Sequence, residues 1–334
     1  MVARTSDEEQ KRKRRKRLVR GLLLGGAAVG VPALANALIA RRVRRLPPAD
    51  WGRSFSYAWT YGEVSFRRIG SGPPLVLLHA FGPGHDAEEW RSASETLADH
   101  FEVFAPDLLG WGRSAKPSMT YDDELYIQLL TDFLQDIVGE RATVAGAGLT
   151  AAYAVQAAVD QPERIDSLIL VGPAGIELQA DEPDVKDAIV HRLLRLPVLG
   201  TSALNLYTSR AAITHYLRNE LFAAPERADA QRIDHHYRSC HQPGAHHALA
   251  AYLSGYLNHP AEEPLGRLVQ PTCIAWGRAA VAPPIESADL WLQRAPHCEL
   301  EVFDDCGNLP HVEAPQRFAE RVRSFLAEPA ATGI

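Results

Sequence analysis

The sequence predicts an α/β domain built on a mostly parallel sheet. Eight short β-rich runs follow residue 54, and helical stretches separate the later ones. Two of these runs are continuously apolar, which is typical of strands covered by helices on both faces: "PLVLLHA" at 74–80 and "IDSLILVGP" at 165–173. Strands that alternate with helices favour parallel pairing. A long helical, His-rich stretch at 176–264 interrupts the alternation and predicts an inserted helical unit.

The predicted elements can be placed in chain order. The strands are "SFSYAWTYG", "EVSFRRIG", "PLVLLHA", "FEVFAPDL", "RATVAGAG", "IDSLILVGP", "TCIAWG" and "CELEVFDDCG". The early strands are joined by turns, and the later ones by helices predicted at 87–100, 122–138, 149–160, 286–294 and 314–327. Pro173 and Gly175 end the sixth strand, and the pattern resumes at Thr272.

Charge divides the chain into a basic leader and an acidic body. Residues 1–45 carry a net charge of +10 and residues 46–334 carry -16, within an overall charge of -6. An acidic body argues against binding to nucleic acid phosphates. The hydrophobic content of 46% is ordinary for a globular domain, which excludes a disordered or collagen-like body.

The leader contains an uncharged segment at 21–40, bracketed by cations. Twenty helical residues span about 30 Å, the thickness of a bilayer core. We therefore expect a basic cytoplasmic flank at 1–20, a membrane-spanning helix at 21–40 and a linker at 41–53. The heavier N-terminal cation cluster predicts a single-pass protein with an extracytoplasmic body. A cleaved signal peptide and a buried core helix are the alternatives.

Four strings of the body, in this order, resemble the α/β-hydrolase family of esterases, lipases and dehalogenases. They are "LLHAFG" at 77–82, "PDLLGWGRSAKP" at 106–117, "VAGAGLTAAYAVQAAVDQPERIDSLILVGP" at 144–173 and "DDCGNLPHVEAPQRF" at 304–318. The resemblance implies an α/β-hydrolase fold, an eight-stranded, mostly parallel sheet with flanking helices. It divides the body into a core at 54–175 and 265–330 and a helical cap at 176–264.

The resemblance also implies three catalytic positions, and this chain departs from the family at each. The family's G-x-S-x-G nucleophile turn is aligned with G-A-G-L-T, so Gly148 stands in place of the serine. In the string W-G-x-x-D the acid is replaced by Ala280, and in C-G-H the histidine is replaced by Asn308. Glycine and alanine carry no reactive group, and asparagine cannot accept and return a proton near neutral pH.

Nearby residues are weaker candidates for these roles. Thr150 is the nearest hydroxyl, and we interpret it as a helix-start threonine. Glu177 is an alternative acid position and is expected to be a solvated residue. His311 and His79 are interpreted as structural histidines, which the family uses to support the neighbouring loops.

The backbone of the oxyanion site does not depend on side-chain identity. Its donors are predicted to be the N–H groups of Phe81 and Leu149, and Ala80 replaces a family glycine between His79 and Phe81. The resemblance implies an oxyanion and ligand pocket lined by His79, Ala80, Phe81, Trp111, Leu149 and Thr150.

The remaining polar residues indicate no cofactor. The four cysteines lack CxxC spacing, and "GAG" at 146–148 lacks the glycines of a dinucleotide-binding loop. The cap region holds eight histidines, which we expect to be solvated and not to form a metal site. They are His191, His215, His235, His236, His241, His246, His247 and His259.

These observations predict a membrane-tethered, catalytically degenerate α/β-hydrolase-fold protein. Its partners would be the membrane, through the N-terminal helix, and a small apolar ligand or a protein. Two alternatives stay open: an active hydrolase of small ester-like substrates that uses non-standard residues, and a structural subunit of a membrane complex.

Overall fold

The computed structural model describes residues 29–327, which form one eight-stranded sheet with helices on both faces. The spatial order is β1-β2-β4-β3-β5-β6-β7-β8. Strand β2 pairs antiparallel with β1 on one side and with β4 on the other, and all other pairs are parallel. The bounds are β1 Arg53–Trp59, β2 Gly62–Gly70, β3 Pro74–Leu78, β4 Glu102–Pro106, β5 Ala142–Ala147, β6 Ile165–Val171, β7 Thr272–Gly277 and β8 Glu299–Phe303. The predicted mostly parallel sheet of eight strands is confirmed.

The helices lie between the strands. In chain order they are α1 29–42, α2 Arg91–Leu97, α3 Asp123–Phe133, α4 Leu149–Asp160, α5 Val185–Leu194, α6 Leu199–Tyr207, α7 Arg210–Tyr216, α8 Ala230–Cys240, α9 Ala245–Leu253, α10 Glu262–Arg267, α11 Ala288–Arg294, α12 Pro310–Glu313 and α13 Pro315–Ala327. Short 3₁₀ turns at Ala87–Trp90, Pro225–Arg227 and Ile285–Ser287 precede α2, α8 and α11. Wider π turns at Leu134–Val138 and Leu217–Leu221 extend α3 and α7.

The central strand β3 explains why this part of the sequence is continuously apolar. All five of its residues are buried. Successive side chains of a strand point to opposite faces, and each face of the sheet is covered. Val76 and Leu78 join the core cluster that contains residues of α3 and α4, whereas Leu75 and Leu77 join the cluster that contains residues of α2 and α13.

Aspartate side chains define where two helices near the site begin. The side chain of Asp122 accepts a hydrogen bond from Leu125 N at 2.9 Å, at the start of α3. The side chain of Asp229 accepts one from Arg232 N at 2.8 Å, at the start of α8. Such caps satisfy backbone donors that a helix leaves unpaired. The cap at Asp229 therefore fixes the start of α8, the helix that carries several polar residues of the site.

The helices α5–α9 occupy the interval predicted for the cap, between β6 and β7. Hydrogen bonds join this unit to the core. His236 Nδ1 lies 2.8 Å from Pro83 O, and His85 Nε2 lies 2.8 Å from the hydroxyl of Tyr216. The loop after β3 is therefore held directly by the cap.

The predicted membrane-spanning helix requires correction. Residues 21–28 lie outside the described part of the chain, and in residues 29–327 no helix combines the length and the apolar character needed to cross a bilayer. Asn36, in the middle of α1, donates to Val198 O at 3.0 Å and accepts from Ser202 and Asn205 at 3.1 and 2.9 Å. Because these bonds hold α1 against the cap, the predicted single-pass membrane localisation is wrong.

Candidate functional site

The turn between β5 and α4, which the sequence predicts to be the nucleophile turn, has a backbone conformation that strains any residue with a side chain. Gly148 has φ 60° and ψ -122°, a conformation that residues with a side chain rarely adopt. Its N–H donates to Val171 O at 2.9 Å, which ties the turn to the end of β6. A Cβ built here would meet only the Ala80 Cβ, at 3.9 Å. The turn therefore has room for a Cβ, although its positive φ would strain any residue that has one.

The positions predicted for the acid and the base meet at the ends of β7 and β8. The Oδ1 of Asn308 accepts a hydrogen bond from Val281 N at 2.8 Å, and its Nδ2 donates to Ala282 O. These partners directly follow Ala280. The side chain of Asn308 thus contacts the loop in which an acid would stand, but it does so as an amide bound to backbone groups. It has no titratable proton to transfer.

His79 and Thr150 each have a structural role. His79 Nε2 accepts from Leu108 N at 3.0 Å, so its Nδ1 carries the hydrogen that is donated to Ala80 O at 2.7 Å. Thr150 is fully buried, and its hydroxyl lies 3.0 Å from both Ala147 N and Ala147 O. Both ring nitrogens of His79 and the hydroxyl of Thr150 are therefore engaged with the backbone.

Aromatic side chains fill the space beside the predicted oxyanion loop. The ring centroid of Phe81 lies 5.2 Å from that of Trp111 and 4.8 Å from that of Tyr126. Trp111 Nε1 donates to the Tyr126 hydroxyl at 2.8 Å, and the Tyr153 ring also lies within this group, 5.9 Å from Phe81. The side chain of Leu149 is also buried. Its N–H lies in the first turn of α4, where backbone donors have no acceptor within the helix, so it is free of helical hydrogen bonding as an oxyanion donor must be.

His311 is a packing residue connected to a buried carboxylate. Its ring stacks on Trp90 with centroids 3.8 Å apart, and its Nε2 lies 3.5 Å from Glu89 Oε1. Glu89 also accepts from Ala80 N at 2.8 Å and from His85 Nδ1 at 2.7 Å. Burial opposes the ionisation of Glu89, but the nearby His311 and the hydrogen bond from His85 outweigh it and lower its pKa to about 2. Glu89 is therefore a carboxylate that positions the backbone of Ala80.

A cavity of about 640 Å³ lies between the cap and the core. Its walls are formed by residues 84–92, by helix α8 and by residues 47–50. An apolar side is formed by Leu221, Phe222, Leu309 and Val312. None of the six residues predicted for the oxyanion and ligand pocket lines it, and neither does Gly148 or Asn308. Cavities of this size commonly hold small organic molecules.

A buried aspartate–histidine pair lines this cavity and joins α8 to the core. His235 Nε2 lies 2.9 Å from both carboxylate oxygens of Asp86. The side chains are 17% and 1% exposed, respectively. Burial disfavours the charge on His235, but the Asp86 carboxylate outweighs this effect and raises the pKa of His235. Burial likewise opposes the ionisation of Asp86, and the charge of His235 nevertheless lowers its pKa.

Two other polar residues of α8, His236 and Arg232, also line this cavity. Burial, and secondarily the charge of His85, lower the pKa of His236 to about 3, so this ring stays neutral. The Arg232 guanidinium lies over the Phe222 ring at 5.3 Å, and its Nε donates to Arg227 O at 3.1 Å. Burial also lowers the pKa of Arg232.

The cap histidines differ from the expectation that they are solvated. His191, His236 and His259 are buried, each with at most 8% of its surface exposed. His191 bonds Ser254 and His259 bonds Asp123, at 2.9 and 2.7 Å. The expectation is wrong for these three because hydrogen-bonding partners distant in sequence allow imidazoles to be buried.

Comparison with known proteins identifies the family. The profile of the α/β hydrolase family matches residues 75–321, well over half of the chain. The chain therefore belongs to the α/β hydrolase family, as the four strings indicated.

Individual relatives are similar over most of their length. An uncharacterized protein of Mycobacterium tuberculosis (strain ATCC 25618 / H37Rv) is 30% identical over 280 residues, which cover 80% of this chain and 79% of that protein. The 2-hydroxymuconate semialdehyde hydrolase of Pseudomonas sp. (strain CF600) is 28% identical over 279 residues, covering 79% and 90%. The crystal structure of a serine hydrolase involved in carbazole degradation superposes with a TM-score of 0.67 at 22% identity, covering 82% and 98%.

Asp86, Glu89, Arg232 and the role of His235 were not identified from the sequence. Asp86 and His235 are separated by 149 positions, and no spacing rule connects them. The only available signal was the density of histidines in the predicted cap.

Proposed function

We propose that this member of the α/β hydrolase family does not perform serine–histidine–acid hydrolysis and instead binds a small ligand in the cap–core cavity. The observation that carries the proposal is the turn at Gly148. Gly148 has a backbone conformation that favours glycine, with space for a Cβ, and it offers no atom that can attack. The loss of a catalytic triad costs roughly six orders of magnitude in turnover.

The neighbouring positions support the same conclusion. Asn308 is bonded to the backbone of the loop after Ala280 and cannot act as a base. Thr150, the nearest hydroxyl in sequence, is buried and bonded to the backbone of β5. The relatives that are named hydrolases support the alternative of an active enzyme, which would need a nucleophile elsewhere.

The test uses a serine-reactive fluorophosphonate probe together with hydrolysis of a short activated ester. The full chain should neither label at a defined residue nor turn over the ester above background. The variant Gly148→Ser/Ala280→Asp/Asn308→His restores the family's side chains, and it should label at residue 148.

The control is the double variant Ala280→Asp/Asn308→His, which should not label. Labelling of the wild-type chain at one defined residue, located by mass spectrometry, would refute the proposal. The rebuilt variant tests the alignment separately, because labelling at any other residue would show that Gly148 is not at the nucleophile position.

A further inference from the structure

The acidic residues of the cavity wall already have partners, so they do not define its ligand. Asp86 is bound by His235, and Asp234 forms ion pairs with Arg210 and Arg238. The remaining acids are also engaged: Asp50 with Arg91, Glu88 with Arg91 and Arg113, Glu89 with His85, and Asp229 with the backbone of α8. Asp229, Glu88 and Glu89 also act on Arg232 through space, but none of them forms an ion pair with it.

Arg232 is the cation of the wall that lacks a carboxylate partner. Within residues 29–327, no carboxylate lies within 4.0 Å of its guanidinium nitrogens. One face of the group packs on Phe222, and Nε is used by Arg227 O. Neither terminal nitrogen has a hydrogen-bond acceptor within residues 29–327, and the side chain is half-buried. A guanidinium in this position favours a planar anion that can accept two hydrogen bonds.

His235 adds a second donor on the same face of α8. It follows Arg232 by three residues, a spacing that places side chains next to each other on a helix. Asp86 holds its Nε2, and Nδ1 has no hydrogen-bond partner among the described residues. Asp86 raises the pKa of His235, which favours the imidazolium relative to a free histidine, and in that form Nδ1 donates as well.

We propose that the cap–core cavity binds a small organic anion, a carboxylate or a phosphate monoester, held by Arg232 and His235, with its apolar part against Leu221, Leu309 and Val312. Phe222, on the apolar side of the cavity, packs against Arg232, so the apolar and cationic walls adjoin and the ligand is amphipathic. The inference rests on the proposed function in that it takes this cavity as the ligand site. It does not depend on the absence of hydrolysis.

The experiment measures binding of four matched probes to the full chain by isothermal titration calorimetry. The probes are hexanoate, hexyl phosphate, 1-hexanol and inorganic phosphate. Hexanoate or hexyl phosphate should bind at least about tenfold more tightly than hexanol, and the tighter of the two identifies the anionic group. Inorganic phosphate should bind more weakly than hexyl phosphate because it does not reach the apolar wall.

Variants of α8 test which cation is responsible. Arg232→Gln should weaken binding of the preferred anion about 10- to 100-fold, the range expected for one charge-assisted contact. Arg238→Gln is the matched control: Arg238 lines the same cavity but is paired with Asp234, so affinity should change less than about threefold. If Arg232→Gln fails to fold, Arg232→Lys takes its place and should retain part of the affinity.

Three results would overturn the inference: equal affinity for hexanol and the anions, no binding of any probe, or unchanged anion affinity in Arg232→Gln. These outcomes are separate from the labelling experiment. A wild-type chain that labels would refute the non-hydrolytic proposal without affecting the anion site, and absent anion binding would leave the labelling result as it stands.

Discussion

Replacing Gly148 by alanine tests whether the nucleophile turn is preserved with an open position for a side chain. The backbone at φ 60° and ψ -122° disfavours any residue with a Cβ, at a cost of about 1–3 kcal/mol. Sterically the site is open, because the new Cβ meets only the Ala80 Cβ at an ordinary 3.9 Å. We therefore expect Gly148→Ala to lower the free energy of unfolding by about 1–3 kcal/mol and to leave the fold intact.

Two other glycines provide controls of opposite character. At Gly146 a Cβ would lie 2.7 Å from both Ala151 N and Thr150 O, which are backbone atoms of α4 and cannot move alone. Gly146→Ala should cost more than about 3 kcal/mol or prevent folding, as severe overpacking does. At Gly266, within α10, a Cβ meets nothing within 4 Å, and Gly266→Ala should stabilise the chain by about 0.4–1 kcal/mol.

The assay is urea unfolding at neutral pH, followed by tryptophan fluorescence and circular dichroism, with the slope of the transition compared among variants. The expected order of stability is Gly266→Ala, wild type, Gly148→Ala and Gly146→Ala. If Gly148→Ala were as damaging as Gly146→Ala, the space at the turn would be filled. The interpretation of Gly148 as a vacant nucleophile position would then be refuted.

Three further predictions concern pH and the loop after β7. The pKa of His235 is raised in the folded chain by its pair with Asp86. The pair therefore contributes its full stability below about pH 6.5, the ordinary histidine value, and this stability is lost as the pH rises through the higher folded-state pKa. Thermal scans should show a melting temperature that falls between pH 7 and 9 in the wild type, and a flatter profile in His235→Gln. The pKa of His236 is shifted in the opposite direction, to about 3. Its neutral ring therefore contributes stability above about pH 6.5, and this stability is lost on acidification. His236→Asn should reduce that loss. Asn308→Ala removes two hydrogen bonds to the loop at 281–282, and should cost about 1–2 kcal/mol and speed proteolysis there.

Each of these predictions has a result that would contradict it. Two results would contradict the first: a melting temperature that rises from pH 7 to 9, or one that falls equally steeply in the wild type and in His235→Gln. Either result would show that the pair with Asp86 does not determine the pH dependence of stability above pH 7. A His236→Asn variant with unaltered acid sensitivity would assign that sensitivity to other buried histidines. Unchanged cleavage in Asn308→Ala, compared with Asn219→Ala on an exposed part of the cap, would show that the amide does not order the loop.

Much of the fold could be predicted because its determinants are local. The continuous apolar run at β3 and the glycine-containing turn after β5 are properties of consecutive residues. Residues 176–264 broke the strand–helix alternation, and the structure places α5–α9 there. The three substituted positions could be predicted because each lies beside a recognisable string at a strand end, and they stay a prediction.

The predicted ligand pocket illustrates where local information was insufficient. Phe81 and Trp111 were assigned to a pocket, but in the structure Phe81 packs against Trp111 and against Tyr126 and Tyr153, which come from α3 and α4. The segment at 21–40 looked long enough to span a bilayer. The position of Asn36 against the cap depends on Val198, Ser202 and Asn205, and hydropathy cannot reveal such contacts.

The sequence by itself determined the strands and the family, and it predicted the cap interval and the replacement of the family triad at Gly148, Ala280 and Asn308, because these depend on local patterns and residue types. Only the tertiary structure decided that Asp86 and His235 form a pair and that Arg232 faces a cavity without a carboxylate partner among the described residues. The physical reason is that burial and ion pairing depend on which surfaces meet. Here the cap helix α8 and the loop after β3 meet across about 150 positions of chain.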